Sequence, residues 1–369
     1  MRASPARRRR ALALLALAAL IAGVVVGAGS GGGGAPHRRD PLAIPAADLA
    51  IANQLPLDRA TGLLVMVRFR GTSAPAYVLR ALREERSSGV ILFADNITGR
   101  AQLRGLTRSL QRAAGGHALI ATDQEGGEVR RLPWAAPHAG EPAQLARGVV
   151  RREAAQGARD LTAAGVNVVL GPVADVPDGP GSAMVSRAFS EDPIEAADAV
   201  RVAVRAWTAG GVAPTLKHFP GLGAAHANTD LTGVTINSPL TLEPFQAGIA
   251  AGAPLVMASH ALYPALDPAH IASQSPAILT GLLRRKLHFG GVIITDSLEA
   301  KAVTHRSGVG TAAVRSIAAG ADLALTTGRG SFLPVLNALR ARARRDPAFA
   351  ARVRESAARV LALRAREAP

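Results

Sequence analysis

Four short stretches carry the residues that could do chemistry. In GVIITDSLEAKAV, residues 291–303, a single carboxylate, Asp296, ends an otherwise wholly apolar run. In TDQEGGEVRRL, residues 122–132, Asp123 ends another such run, two glycines permit a tight turn, and Arg130 and Arg131 follow. TLKHFPG, residues 215–221, sets a cation and an imidazole, Lys217 and His218, side by side at the end of a third. SRAFSEDP, residues 186–193, offers Arg187 just before a helix start at Asp192-Pro193. Carboxylates in such places suit nucleophilic or acid–base work, and the cations and imidazole could hold hydroxyl groups. Each residue also has a plainer reading: a helix cap for Asp296, a satisfied core histidine for His218, surface arginines for Arg130, Arg131 and Arg187. The four stretches taken singly leave both readings open.

Composition removes several chemistries. The 369 residues contain no Cys, which excludes a thiol nucleophile, a disulfide framework and Cys-ligated zinc. The nine His are scattered, with no H-x-H after the first apolar run, so no metal is expected. TTGRGS, residues 326–331, is a faint phosphate-binding hint, but the residues before it fit a sugar better. The net charge is +16, and only Lys217, Lys286 and Lys301 among 43 basic residues are lysines. The arginines fall mostly on helical stretches without interleaved aromatics, which reads as a solvated basic surface and not a nucleic-acid site.

The elements that must position these residues are legible as apolar runs at 63–69, 89–94, 118–123, 166–176, 213–219, 254–260, 291–296 and 321–327. Each reads as a strand buried on both faces. Amphipathic stretches lie between them, among them 141–164, 192–209, 275–287 and 308–319, and an Ala/Arg-rich helix is expected at 346–366. Eight strands alternating with helices is the count of a (β/α)₈ barrel, with a doubly wound sheet as the alternative. Asp95, Asp123, Asp175, Lys217, His218, His260 and Asp296 all sit at C-terminal strand ends. That spread around a rim favours the barrel, as a single catalytic domain over 46–369.

The first residues read as targeting. RRRR at 7–10 precedes residues 11–29, which carry no charge. A basic region before an apolar stretch is the export pattern, and the stretch is close to the ~20 residues that span a bilayer. The expectation for 1–29 is a cleaved signal or an N-terminal membrane anchor, followed by a Gly-rich flexible linker over 30–45. Either places the body outside the cytoplasm, secreted or tethered through residues 11–29.

Together the motifs resemble family-3 glycoside hydrolases of the bacterial β-N-acetylglucosaminidase type. The resemblance runs from about Leu55 to about Gly328. It includes GVILFADNI, DQEGGEVRRL, GVNVVLGPVADV, SRAFSEDP, KHFPGLG, MASHALYPALDP and SPAILTGLLRRKLHFGGVIITDSL, in that order. It implies a retaining glycosidase acting on cell-wall or chitin-type oligosaccharides, or muropeptides, with no cofactor. It makes Asp296 the nucleophile, and gives hydroxyl and N-acetyl contacts to Asp123, Arg131, Arg187, Lys217 and His218. Retaining chemistry needs a second group, an acid that protonates the leaving oxygen.

The sequence departs from the family at that second group. The family's loop reads K-H-F-P-G-H-G and then D-S-H, whose His is the acid/base and whose Asp tunes it. Here KHFPGLGAAHANTD, residues 217–230, has Leu222 for the first His, Asn228 for the Asp and Asp230 for the catalytic His. Three readings follow. Asp230 is itself the acid/base, His226 substitutes for it, or the barrel binds glycans or muropeptides with little or no cutting.

Overall fold

The computed structural model describes residues 44–368, and every one of the eight apolar runs contributes a strand. We number these β1 (Val65–Arg68), β2 (Gly89–Leu92), β3 (Leu119–Thr122), β4 (Val168–Val169), β5 (Ala213–Phe219), β6 (Leu255–Ala258), β7 (Val292–Thr295) and β8 (Ala324–Thr326). They pair in the order β7-β6-β5-β4-β3-β2-β1-β8, all parallel. A parallel bridge between Ile294 and Leu323 joins the two ends, and the Thr295 N–H donates to the Leu323 carbonyl at 2.9 Å. The result is a (β/α)₈ barrel of one domain, as the sequence predicts. Strand residues such as Val65, Ile91, Ile120, Val168, Leu216, Val256 and Ile293 are buried. Burial on both faces is why the runs are continuously apolar and do not alternate.

The helices follow their sequence patterns with two adjustments. Arg100–Ala113 buries Leu103, Leu106, Thr107 and Leu110, the three-and-four spacing of one helical face. Asp192 caps Pro193–Ala209 by accepting from the Ile194 and Glu195 N–H groups, and Asp346 caps Pro347–Arg366 in the same way. The stretch expected as one helix over 141–164 is two, Glu141–Ala146 and Val150–Ala164. Gly148, at φ 61°, breaks it, a left-handed conformation that glycine adopts without steric cost. The stretch at 275–287 forms a π-helix, Ala277–Lys286.

Among the described residues no helix is long and apolar enough to cross a membrane. This corrects the expected membrane tether and the anchored localisation that goes with it: the structure provides no membrane-crossing helix to support them. The stretch 11–29 itself, the possible signal and most of the linker lie outside the described residues.

Candidate active site

The strands end on a common rim, and the loops beyond it enclose a cavity of about 460 Å³ lined by Asp123, Arg131, Arg187, Lys217, His218, Asp230 and Asp296. That size suits a small ligand. Three other clefts are larger, about 920, 960 and 510 Å³, but none is lined by more than one carboxylate. Convergence of titratable groups, not volume, selects the rim.

Asp123 leaves β3 into the turn DQEGG. Gly126 there has φ 101°, and a Cβ on it would lie 2.0 Å from the Ala139 carbonyl oxygen, so only glycine fits. The turn brings Glu125 inward, where it is 3% exposed. Lys217, at the end of β5, donates to Asp123 Oδ1 at 2.9 Å and lies 2.6 Å from Glu125 Oε1. Arg187 grips Glu125 with both arms of its fork, Nε to Oε2 at 2.9 Å and Nη2 to Oε1 at 2.7 Å. Arg131 approaches Asp123 Oδ2 at 3.7 Å. Burial opposes the charge on Glu125, but Lys217 and Arg187 outweigh it and lower its pKa to about 2. Lys217 is likewise opposed by burial, yet Asp123 and Glu125 raise its pKa above the ordinary value. Both are therefore ionised at neutral pH.

His218 is fixed from behind by Asp175. The Asp175 carboxylate lies 2.7 Å from His218 Nδ1 and accepts the backbone N–H groups of His218 at 3.1 Å and Leu222 at 2.7 Å. A carboxylate can only accept, so Nδ1 carries a proton, while the ring lines the cavity.

Asp296 follows β7. Its Oδ1 accepts the Ser297 N–H at 2.7 Å. Buried His260 lies behind, with Nε2 2.9 Å from the Ser297 carbonyl and Nδ1 2.7 Å from Ser273 Oγ. Desolvation lowers the pKa of His260; the neutral ring then donates from Nε2 and accepts at Nδ1, fixing the backbone that carries Asp296. Burial disfavours the Asp296 charge, but His218, the Ser297 N–H and Lys217 among its neighbours reverse this and hold its pKa below the ordinary aspartate value.

Asp230 stands on the loop after β5. Its N–H donates to Asn228 Oδ1 at 2.8 Å, and its carbonyl accepts from Lys301 at 3.1 Å, next to Thr229, which accepts from Ala302 at 3.2 Å. The loop is thus clipped by its backbone to the segment that follows Asp296. Asp230 is exposed on its outer side, yet it also lines the cavity. Desolvation there, and then the negative Asp296, raise its pKa. Two carboxyls of one cavity are pushed in opposite directions.

His226 is not among the cavity-lining residues; it is exposed, with Nδ1 3.0 Å from the Gly181 carbonyl. The other residues named from sequence converge: Asp123, Arg131, Arg187, Lys217, His218, Asp230 and Asp296. Sequence reading missed Glu125, which joins Lys217 to Arg187, and Glu299. Glu299 Oε2 accepts the Ser297 hydroxyl at 3.1 Å, the Thr327 N–H at 2.8 Å and the Thr327 hydroxyl at 3.0 Å, linking the tips of β7 and β8. Among the described residues no group of three His, Asp or Glu is placed to hold a metal.

Residues 57–363 match the glycosyl hydrolase family 3 N-terminal domain. The chain belongs to this family. Family membership makes it a glycosidase-type hydrolase of carbohydrate metabolism. The β-hexosaminidase of Stenotrophomonas maltophilia K279a is 34% identical over 281 residues, covering 71% of this chain and 82% of that one. A family-3 β-N-acetylglucosaminidase from Paenibacillus sp. FPU-7 superposes with a TM-score of 0.81 at 33% identity, over 85% of this chain. This chain spans only 63% of the Paenibacillus protein. The β-N-acetylhexosaminidase of Beutenbergia cavernae gives a TM-score of 0.77 at 33% identity, over 85% of this chain and 99% of its own.

Proposed function

We propose that the rim cavity hydrolyses terminal β-linked N-acetylglucosamine from cell-wall or chitin-type oligosaccharides, with retention at the anomeric carbon. The observation that carries this reading is the convergence of two carboxyls on one cavity, the pKa of Asp296 lowered and that of Asp230 raised. Such a split is how one site supplies a nucleophile and an acid together. The sugar assignment draws on the printed activities of the related hexosaminidases.

In this reading Asp296 attacks the anomeric carbon as the glycosidic C–O bond breaks, and the Asp230 proton passes to the leaving oxygen. Asp230, now a carboxylate, takes a proton from water, whose oxygen displaces Asp296 and frees the sugar. Lys217, Asp123, Arg131, Arg187 and His218 hold the sugar's hydroxyl and N-acetyl groups and orient the ring. Glu125 positions the two cations without touching the sugar. His226, lying against Gly181, has no role.

A second reading, glycan binding without cutting, is favoured by the exposure of Asp230, since water stabilises the ionised carboxylate and leaves it without a proton to donate at neutral pH. An aryl β-N-acetylglucosaminide distinguishes the two. Wild-type turnover that disappears in Asp296→Ala supports hydrolysis. Retention by Asp230→Asn of the aryl substrate, with loss on natural oligomers, supports Asp230 as the acid. No turnover with measurable sugar affinity selects the binder.

A further inference from the structure

The helix Glu141–Ala146 has two buried side chains that reach the backbone around the site. Gln144 Nε2 donates to the Glu125 carbonyl at 2.9 Å and to the Ala139 carbonyl at 2.8 Å, which fixes the turn that carries Glu125. Glu141 Oε1 accepts the Val173 N–H at 3.0 Å. That N–H lies where the sheet runs out. The stretch after β4 still bonds β3 through the Leu170 N–H and the Thr122 carbonyl, 2.9 Å apart, but β3 ends there and the chain turns away at Asp123. The Glu141 carboxyl takes the place of a strand neighbour, since a buried backbone N–H needs an acceptor. On its other side the same stretch meets β5. Val173 bridges Lys217, the Ala174 N–H donates to the Lys217 carbonyl at 2.6 Å, and the Lys217 N–H donates to the Pro172 carbonyl at 3.3 Å. Two residues beyond Val173, Asp175 holds His218.

We propose that Glu141 is a positioning residue for the sugar site, setting the place of Lys217 and His218 through Val173. The inference rests on the reading above, in which those two residues hold the sugar. Glu141 is not among the cavity-lining residues, so it acts only through the stretch it holds. Its second oxygen, Oε2, is buried and has no hydrogen-bond partner among the described residues, a costly setting for an ionised group. Burial first, and then the negative Glu125, push its carboxyl well above the usual carboxylate range. The neutral acid still accepts at Oε1. It also adds no negative charge to compete with Asp123 and Glu125 for Lys217, which pairs with both. Position 141 therefore calls for an acceptor of this reach and for no charge, a demand that glutamine also meets.

The test compares wild type with Glu141→Gln, which keeps the acceptor, and Glu141→Met, which keeps the bulk and removes it. On an aryl β-N-acetylglucosaminide, and on protein shown to be folded by circular dichroism, Glu141→Met should lose roughly 10- to 100-fold in kcat/KM, the scale of a small misplacement of positioning groups. Glu141→Gln should match wild type. A folded methionine variant with wild-type kcat/KM overturns the proposal, because Glu141 then serves the core alone. A glutamine variant as impaired as the methionine one overturns it too. Glu141→Ala stands in if the methionine variant does not fold; if neither folds, the role is structural and the proposal falls. If wild type does not cleave the aryl substrate, hydrolysis itself fails, and the same comparison is made by calorimetry with N-acetylglucosamine. Affinity weakened by methionine and restored by glutamine supports the positioning role, whereas equal affinities, or no binding by wild type, overturn it.

Discussion

Asp322 and Asp123 are both carboxylates among buried cations, at opposite ends of the same barrel. Asp322 precedes β8 and is fully buried. It accepts from Arg284, from the Ile293 N–H at 2.9 Å, from Arg352 at 2.8 Å and from the Ser356 hydroxyl at 3.1 Å, with Arg359 at 3.5 Å. Both of its oxygens are spoken for by protein. Burial opposes its charge, but the three arginines lower its pKa to about 2. At the rim, Lys217 bridges Asp123 and Glu125, and Arg187 holds Glu125, yet Asp123, Lys217 and Arg187 also form a cavity wall. Similar electrostatics therefore serve different ends. A closed cluster ties the C-terminal helix to the barrel floor, and an open one keeps charged side chains rigid while leaving some of their capacity for a ligand. Barrels separate stability and chemistry between their two faces in this way.

The comparison breaks most visibly at Asp296. Its replacement by Ala is expected to lower kcat/KM on an aryl β-N-acetylglucosaminide by at least about 10⁴-fold, with the melting temperature little changed. Asp322→Ala should do the reverse. Three arginines, Arg284 buried and Arg352 and Arg359 half-buried, would lose their counter-charge, at a cost of roughly 3–5 kcal/mol, read by urea unfolding, while the folded fraction keeps its kcat. If Asp322→Ala instead spares stability, the floor cluster is not the anchor described here.

Asp230→Asn is expected to cost 10²–10⁴-fold on oligomers with poor leaving groups, and far less on aryl substrates. The pH profile sharpens this. Asp296, with its lowered pKa, stays ionised until the pH falls below the usual aspartate range. Asp230, with its raised pKa, keeps its proton until the pH rises above that range. The kcat/KM profile on oligomers should be a bell lying toward acid, whose alkaline limb vanishes in Asp230→Asn. An alkaline optimum would remove Asp230 from the acid's role. The smallest effect is expected from Glu125→Gln, which leaves Lys217 and Arg187 less firmly held. Sugar affinity should weaken by about 10–100-fold, the scale of a hydrogen bond to a charged group.

Acid stability follows the same contrast. Asp322 and Glu125 both have folded pKa values lowered to about 2. Their contribution is complete above the ordinary carboxylate pKa and is lost as pH falls toward 2. Unfolding curves taken across that interval should steepen less in Asp322→Asn than in wild type.

The barrel was legible because burial on both faces leaves a one-dimensional trace: GVILFA contains β2 and GVIITD contains β7 almost residue for residue. The run 166–176 was harder. Only Val168 and Val169 form a regular strand; past Pro172, which has no N–H to donate, pairing with β5 resumes only as the isolated Val173–Lys217 bridge before the chain reaches Asp175. Asp123, Lys217 and Asp296 were legible as charges ending apolar strands. Glu125 was not, because it sits within a turn whose glycines draw the eye, and nothing local reports that it meets Lys217 from β5 and Arg187 from another loop. His226 shows the opposite limit. A chemically suitable residue four positions from Asp230 turns to Gly181, and side-chain direction in an irregular loop has no periodicity to read.

The two backbone clips from Lys301 and Ala302 to the 229–230 segment have an evolutionary corollary. They hold the main chain at position 230 in register with the chain beyond Asp296, whatever side chain position 230 bears. If Asp230 acts as proposed, the imidazole that the family resemblance implies at this position and this protein's carboxyl would share one mount that neither of them builds. Exchanging one for the other would then alter the reagent while its address stays the same.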